Sequence, residues 1–262
     1  MKLEVLVSTM AQEDYSLFER MNLSSDCVVV NQCGREFVAD LNMKGNSVKW
    51  IDSAGTGLSR SRNLAIDNSV ADVCVIADDD LVYIDGYDER ILNAFHCYKD
   101  ADVLAFIVEG KNGFFKDYGE RPKKLNFLTA MKVSSVQVAF KRKSLVDNNL
   151  RFNTEFGAGS TFYCGEENIL LSECLRAGLK LYFVPVKIAD VYMGDSSWFA
   201  GFNERYFNSR GAAFTAMSNK LSIPLIVQFA LRKRGMYMHN FSFFQVLRFM
   251  LNGRQMFLRG DC

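Results

Sequence analysis

The stretch "GLSRSRNLAIDNSVADVCVIADDDLVY", residues 57–83, contains a glycine-led helical pattern, an apolar run and three consecutive carboxylates, in that order. The apolar run, residues 73–77, is short and partly β-branched, which predicts a strand buried in a sheet. Ser59 has a side chain suited to a helix N-cap, and we predict a helix from about Ser59 to Val70. Because a helix leading into a buried strand is the repeating unit of a parallel sheet, this stretch predicts an α/β fold.

Similar units occur on both sides of this stretch. Apolar runs predict strands at residues 3–9, 27–32, 47–52, 73–77, 103–109 and 180–184, with helices near 14–21, 59–70, 87–98 and 166–178. A further strand and a short helix are predicted within residues 134–152. Strands separated by helices pair in parallel and carry helices on both faces of the sheet. We therefore expect a mostly parallel sheet.

Polar side chains follow the predicted strands at their carboxyl ends. They are Thr9, Asn31, Gln32, Asp52 and the cluster Asp78–Asp80. In open parallel sheets, ligands bind at this edge. The sequence therefore predicts a ligand site there.

The three aspartates after the fourth predicted strand are suited to a hard cation. Side chains alternate along a strand, so Asp78 and Asp80 would share one side and Asp79 would take the other. Mg²⁺ and Mn²⁺ prefer oxygen ligands, and Mg²⁺ often takes only one or two protein carboxylates. The alternative is a solvated acidic turn whose carboxylates cap backbone amides.

The segment "GLSRSRN", residues 57–63, is suited to an anion. A glycine loop that opens a helix offers backbone N–H groups and a partial positive charge. Arg60 and Arg62 add guanidinium groups that match phosphate geometry. The alternative is an exposed basic helix start. Together with the aspartates downstream, the segment predicts a site for a metal and a diphosphate.

The charge of the chain is balanced overall but unevenly distributed. The formal net charge is +1, which gives no indication of nucleic acid as a partner. Between Arg205 and Gly260 there are nine Lys and Arg and no Asp or Glu. Helices are predicted near residues 222–234 and 241–252, each with an apolar face. They either pack on the catalytic core or lie on a membrane surface and contact anionic lipid headgroups.

The cysteines and the N-terminus indicate a cytoplasmic protein. Seven cysteines are present without a C-x-x-C pair, and most lie in apolar runs, which is typical of reduced thiols and not of a zinc site. "MKLEVLVSTM" is too short and too charged for a signal peptide, and no apolar run is long enough to span a membrane.

Two segments resemble the family 2 glycosyltransferases of the GT-A fold. Residues 57–83 resemble the family's Gly…Arg-Asn helix and the strand that ends in its D-x-D metal motif. "FNTEFGAGSTFYCGEENILLSECLRAGLKLYFVP", residues 152–185, resembles its acidic pair at the start of a helix, followed by a glycine and an apolar strand. With "VSTM" and "VVVNQ", the resemblance covers roughly residues 1–200. It implies a Rossmann-like GT-A domain with a C-terminal helical extension.

The resemblance also implies roles for individual residues. The nucleotide donor would contact Thr9, Asn31, Gln32, Arg60, Arg62, Asn63, Asp78 and Asp79. Asp78 and Asp80 match the metal motif, and Asp80 is the expected direct ligand. Glu167 matches the catalytic base and Glu166 the acidic residue before it, although the family has Asp where this chain has Glu167. Many relatives add a His ligand after the later strand. Here "ADVYMGDSS" has none, so Asp195 or water would substitute.

The expected function is a metal-dependent inverting transfer of a sugar from a nucleotide diphosphate, most simply a UDP-sugar, to a glycan. A lipid-linked acceptor in capsule or other cell-surface polysaccharide assembly would suit a protein on the inner face of the plasma membrane. We expect a catalytic domain at 1–204, with a donor half (1–110) and an acceptor half (111–204), and an extension at 205–262. The alternatives are a nucleotidyltransferase, although "VSTMAQEDYS" lacks its Gly- and Arg-rich loop, and a non-catalytic binding module.

Overall fold

The apolar runs of the sequence form the strands of one sheet. The structure, a computed structural model, describes residues 1–113, 116, 119–192 and 201–260. Within these ranges the sheet has ten strands. They are β1 (Leu3–Met10), β2 (Asp26–Gln32), β3 (Phe37–Met43), β4 (Asn46–Ser53), β5 (Val73–Asp78), β6 (Leu81–Tyr83), β7 (Val103–Gly110), β8 (Lys123–Lys124), β9 (Val138–Lys141) and β10 (Leu181–Val191).

The strand order is β3-β4-β2-β1-β5-β9-β7-β10-β6, with β8 paired to β10. Strands β4, β2, β1 and β5 are mutually parallel, and β7 is parallel to β10. Strands β3, β6, β8 and β9 run antiparallel to their neighbours. The predicted parallel core is confirmed, and the antiparallel strands β3, β6 and β8 were not predicted.

Helices connect many of the strands and continue after the last one. They are α1 (Leu17–Arg20), α2 (Leu58–Asn68), α3 (Tyr87–Cys97), α4 (Phe127–Ala130), α5 (Arg142–Asp147), α6 (Glu166–Arg176), α7 (Glu204–Met217), α8 (Ser222–Arg232), α9 (Arg234–Tyr237) and α10 (Phe243–Arg259). Among the described residues, no helix has the length and apolar character needed to cross a bilayer.

Helices cover both faces of the sheet, as predicted. On one face, odd-numbered residues of β1 and β5 share a core with α1 and α3. This core includes Val5, Val7, Phe18, Val75, Ala77 and Ile91. On the other face, Ser8 of β1 accepts a hydrogen bond from Ser61 of α2, with 2.8 Å between the two Oγ atoms. Because strand side chains alternate, Asp78 at the end of β5 lies on the α2 face.

The edge strand β3 forms a hairpin with β4. Lys44 and Gly45, between the two strands, both have positive φ (53° and 88°), as a two-residue type I′ turn requires. Most of β3 is exposed, and Asp40 and Asn42 interrupt its apolar residues, so its sequence has no continuous apolar run like those of the buried strands. This explains why the apolar pattern did not reveal it.

The chain divides into two compact units. The first consists of Met1–Thr56, Arg60–Arg151 and Cys174–Gly194, and it contains the sheet. The second consists of Gly57–Ser59, Phe152–Glu173 and Asp195–Cys262. The C-terminal helices therefore share a unit with the segment before α6. The sequence predicted a donor half that ends at residue 110 and an acceptor half that ends at residue 204. These halves are defined by which ligand they bind, and a division into compact units does not test that. They therefore stay a prediction.

Two glycines bring helices α7 and α10 of the second unit close together. A Cβ on Gly211 would overlap the carbonyl of Met250, and one on Gly253 would overlap the carbonyl of Asn208. The predicted helix near 241–252 therefore continues to Arg259, because Gly253 packs against a neighbour and does not end the helix. Helix α7 was not predicted because most of its residues are buried, which removes the amphipathic pattern.

Candidate functional site

The three aspartates lie where β5 turns into β6. Asp78 is the last residue of β5, and Asp79 and Asp80 form the turn that leads to Leu81. Asp79 and Asp80 are exposed, whereas Leu81 and Tyr83 are buried. The buried residues on either side therefore fix an acidic turn at the carboxyl edge of the sheet.

Asp78 is held by a buried arginine. Arg62 Nη2 donates to Asp78 Oδ1 at 2.9 Å and also to Ser135 Oγ at 2.9 Å. The Arg62 side chain is 0% exposed, and that of Asp78 is 31% exposed. Arg62 was predicted to contact the donor. It contacts Asp78. Its contact with a donor stays a prediction.

Asp79 is held from the end of β1. Thr9 Oγ1 donates to Asp79 Oδ2 at 2.5 Å, and Gln12 Nε2 donates to Thr9 Oγ1 at 2.9 Å. Gln32 Nε2 donates to the Thr9 carbonyl at 3.4 Å. Thr9, Gln32 and Asp79 were predicted site residues, and they lie together. Gln12 was missed because it follows the strand and no sequence pattern marks it.

Asp80 carries the charge that the surrounding protein stabilises least. Although the residue as a whole is exposed, desolvation of its carboxylate, followed by the neighbouring charges of Asp78 and Asp79, raises its pKa to about 6. A cation at this turn would offset that repulsion, so the carboxylates present fit a divalent metal. Among the described residues, no group of three or more His, Cys, Asp and Glu side chains is arranged to hold a metal ion. Among the described residues, a metal here would therefore be held by the carboxylates of this turn, and its other ligands would come from substrate, water or residues outside the described ranges.

A second polar network lies at the ends of β2 and β4. Asn31 Nδ2 donates to Asp52 Oδ1 at 2.8 Å, and Trp50 Nε1 donates to the same oxygen at 2.9 Å. Arg35 Nε donates to Asp52 Oδ2 at 2.6 Å. Burial would raise the pKa of Asp52, but these hydrogen bonds and the Arg35 charge outweigh it and lower the pKa. Asp52 is therefore a buried anion.

Asn31 connects this network to Gln12. Gln12 N donates to Asn31 Oδ1 at 2.9 Å, and Asn31 Nδ2 donates to the Gln12 carbonyl at 3.0 Å. Asn31 and Asp52 are both 0% exposed, whereas the Arg35 side chain is 65% exposed. The solvent-facing groups of this network are therefore Arg35 and Gln12, and sequence reasoning missed both.

The remaining predicted donor residues lie on α2. Arg60 is exposed and Asn63 is half-buried. Ser59 is not the N-cap, because α2 begins at Leu58. The Ser59 hydroxyl donates to the Phe156 carbonyl at 2.6 Å, and Leu58 N donates to the Ala158 carbonyl at 2.8 Å. The segment predicted to bind a diphosphate, residues 57–63, therefore has at least one backbone N–H group that already donates to the protein.

The acidic pair opens α6 in the second unit. Glu166 is 7% exposed, and Glu167 is half-buried. Gly165 precedes them with φ of 101°, and a Cβ there would lie 2.6 Å from Ala213 Cβ. The glycine therefore serves both the turn into α6 and the close approach of α7.

Helix α7 contributes a cation to this acidic pair. Arg210 Nε donates to the Tyr206 hydroxyl at 3.3 Å, and Nη1 donates to Asn168 Oδ1 at 3.5 Å. Burial would lower the pKa of Arg210, but Cys164, Tyr206 and Glu167 raise it above its usual value. Arg210 was assigned only to the basic tail, because its sequence separation from Glu167 gives no sign that the two charges interact.

Cys164, beside the acidic pair, is not a nucleophile at neutral pH. Burial raises the pKa of this thiol to about 11; Arg210 opposes the shift, and Glu166 and Glu167 add to it. The thiolate is the reactive form, so Cys164 is inert.

Asp195, predicted as a metal ligand, lies outside the described residues.

Comparison with known proteins agrees with this fold. The model of "Glycosyl transferase family 2" matches residues 15–162. Among solved structures, residues 1–349 of S. aureus TarS align with a TM-score of 0.62 and 14% identity, covering 92% of this chain and 74% of that one. The same fragment in complex with UDP-GlcNAc gives a TM-score of 0.59 and 15% identity, with the same coverage. No curated protein matches.

The fold is thus a mixed α/β sheet of the GT-A type, with C-terminal helices after it. The chain belongs to glycosyl transferase family 2, because the family model covers more than half of it. The family recognition is confirmed, and the matched range contains the whole of residues 57–83. It ends at residue 162, so the resemblance of most of the second segment, residues 152–185, stays a prediction.

Proposed function

We propose that this family 2 glycosyltransferase moves a sugar from a nucleotide diphosphate to a glycan acceptor, with inversion and with a divalent cation. The observation that carries the proposal is the acidic turn after β5. Two of its carboxylates are held by Arg62 and Thr9, and the third, Asp80, is exposed. Crystal structures of TarS, whose fold is similar, were obtained with UDP and with UDP-GlcNAc, which supports a UDP-sugar as the donor to test first.

The residues that would hold the cation are Asp80 and Asp78, with Asp195 as a further candidate from the sequence. Mg²⁺ or Mn²⁺ at this turn would neutralise charge that develops on the departing diphosphate. Arg62 keeps the Asp78 carboxylate in place, and Thr9 does the same for Asp79. The Asp78 carboxylate, held in this way, need not reorganise when charge develops, which favours catalysis.

The nucleoside would lie beside the network of Asp52. Asn31, predicted as a direct contact, is fully buried and bonded to Gln12 and Asp52. We therefore assign Asn31 a positioning role and assign the direct contacts to Arg35 and Gln12. Arg60 and Asn63 remain candidates for the donor.

Glu167 is the proposed base that removes the proton of the acceptor hydroxyl. It is half-buried in the first turn of α6, directly after Glu166. Glu166 is buried and is suited to positioning. A base of this kind typically contributes about 10²–10⁴-fold to rate.

A thermal-shift screen of nucleotide sugars, with and without Mn²⁺, tests the proposal. We expect a UDP-sugar to raise the Tm only when the metal is present, and Asp80→Asn to remove the effect. Product analysis then separates the rival functions. Release of a nucleoside diphosphate supports sugar transfer, release of pyrophosphate indicates a nucleotidyltransferase, and binding without turnover indicates a binding module.

The biological setting is part of the same proposal. An acceptor glycan carried on a lipid, in capsule or related polysaccharide assembly, would place the enzyme at the inner face of the plasma membrane. Transfer to a lipid-linked oligosaccharide but not to the free sugar would support this setting. Equal transfer to both would argue against it.

A further inference from the structure

Helix α8 carries apolar side chains on its exposed face. Ile223, Val227 and Leu231 are 50%, 38% and 58% exposed. They recur every four residues and so form one stripe along the helix. The opposite face, which includes Leu225, Ile226 and Phe229, is buried within the second unit. A helix with apolar residues on both faces is typical of a buried helix, so the exposed stripe indicates a second surface that covers it.

The apolar surface continues beyond the helix at both ends. Leu221 before α8 is 46% exposed, and Met236 and Met238 after it are 57% and 56% exposed. We call these three residues, with Ile223, Val227 and Leu231, the α8 stripe. Side chains scattered singly over a surface need no explanation, whereas six exposed apolar side chains within eighteen residues call for one.

Basic side chains lie at both ends of the α8 stripe. Lys220 precedes the helix, and Arg232, Lys233 and Arg234 follow it. No Asp or Glu occurs between Arg205 and Gly260, so the nearby sequence supplies no acidic partner. An apolar stripe between cations matches the two parts of an anionic bilayer surface, which are acyl chains and negatively charged headgroups.

A second copy of the chain would fit this surface poorly. In a twofold contact between two α8 stripes, antiparallel helices would place Lys220 of one copy beside Arg232–Arg234 of the other. Parallel helices would place the two clusters of three cations together. Like charges that meet in an interface cost binding energy in both arrangements. The charges therefore favour lipid as the occupant.

We propose that the α8 stripe is a peripheral membrane-binding surface, which lies on an anionic phospholipid bilayer without crossing it. The apolar side chains would enter the boundary between headgroups and acyl chains, and the four cations would contact the phosphates. The inference does not depend on the proposed reaction, because it rests on residues 220–238 alone.

Vesicle flotation with the full chain tests the inference. We expect binding to vesicles of phosphatidylglycerol and phosphatidylcholine, little binding to phosphatidylcholine alone, and weaker binding as salt rises. Replacing Arg232, Lys233 and Arg234 by Gln should weaken binding about fivefold per charge removed. Replacing Ile223, Val227 and Leu231 by Ser should weaken it more than about tenfold, because apolar burial is lost.

Matched variants distinguish the surface from nonspecific effects. One control replaces three exposed cations of the first unit, Lys44, Lys99 and Lys143, by Gln, and it should leave vesicle binding unchanged. The other is Val70→Ser, which should also leave binding unchanged, because it removes an apolar side chain that is 85% exposed but lies in the first unit. An unchanged Tm of the Ser variant would show that it folds. Full binding by that folded variant, or no binding of the wild type to anionic vesicles, would overturn the inference. A dimer that the Ser variant dissociates would overturn it in favour of a second copy.

Discussion

Arg62 of α2 donates from Nη2 to Asp78 Oδ1 at 2.9 Å, and it does so with a guanidinium that has no exposed surface. A buried cation of this kind is stable only when its charge is paired. The carboxylate that ends β5 is therefore part of the packing of the sheet against α2, and its position is fixed before any ligand binds.

Arg62→Gln should lower the free energy of unfolding by about 3 kcal/mol, because it removes one partner of a buried pair. It should also weaken Mn²⁺ binding about tenfold or more, since Asp78 loses the group that orients it. Urea denaturation and metal titration measure the two effects. Arg60→Gln, on the exposed side of α2, is the control and should change stability by less than about 0.5 kcal/mol. Equal stability of the two variants would contradict the prediction.

Asp80→Asn should abolish metal-dependent binding of the donor and at the same time raise the stability of the ligand-free protein. The gain, about 1 kcal/mol after allowance for solvent screening, comes from removing a charge that is disfavoured first by desolvation and then by the neighbouring carboxylates of Asp78 and Asp79. Thermal unfolding with and without Mn²⁺ and donor measures both. Asp40→Asn on the exposed strand β3 is the control and should have neither effect. A ligand-free Tm below that of the wild type would count against this account.

Glu167→Gln should retain donor binding and lose about 10²–10⁴-fold in turnover, because the amide keeps the shape of the side chain but accepts no proton. Isothermal titration with the donor and a transfer assay separate the two. Glu204→Gln, which changes an exposed residue of the same unit, should leave turnover unchanged. Wild-type turnover in the Glu167 variant would exclude this residue as the base.

Gly211→Ala and Gly253→Ala should each cost about 1–3 kcal/mol of stability, or prevent folding, because a methyl group at either position overlaps a backbone carbonyl of the facing helix. Gly235→Ala is the matched control, since nothing lies within 4 Å of its added Cβ. Alanine is the better helix former, so that variant should be neutral or slightly more stable. Chemical denaturation compares all three. A stable, fully folded Gly253→Ala protein would show that α7 and α10 can separate without cost.

The strands and the acidic turn were predictable because their signals are local. A buried strand must be apolar along its length, and polar residues that follow it fall at one edge of the sheet, as Thr9, Asn31 and Asp78 do. The edge strand β3 and the helix α7 were missed for different reasons. In the first, Asp40 and Asn42 interrupt the apolar residues, so no continuous apolar run marks the strand. The second is mostly buried and so lacks the periodic contrast of a surface helix.

By itself, the sequence determined the buried strands of the parallel core, where the carboxylates fall relative to them, and the family to which the chain belongs. Only the tertiary structure decided the partners: Arg62 for Asp78, Gln12 for Asn31, and α7 as the source of the cation near Glu167. Strand and helix patterns repeat over a few residues, so they can be read along the chain. A hydrogen bond or a helix crossing depends on distances between segments far apart in sequence, and those distances exist only once the chain has folded.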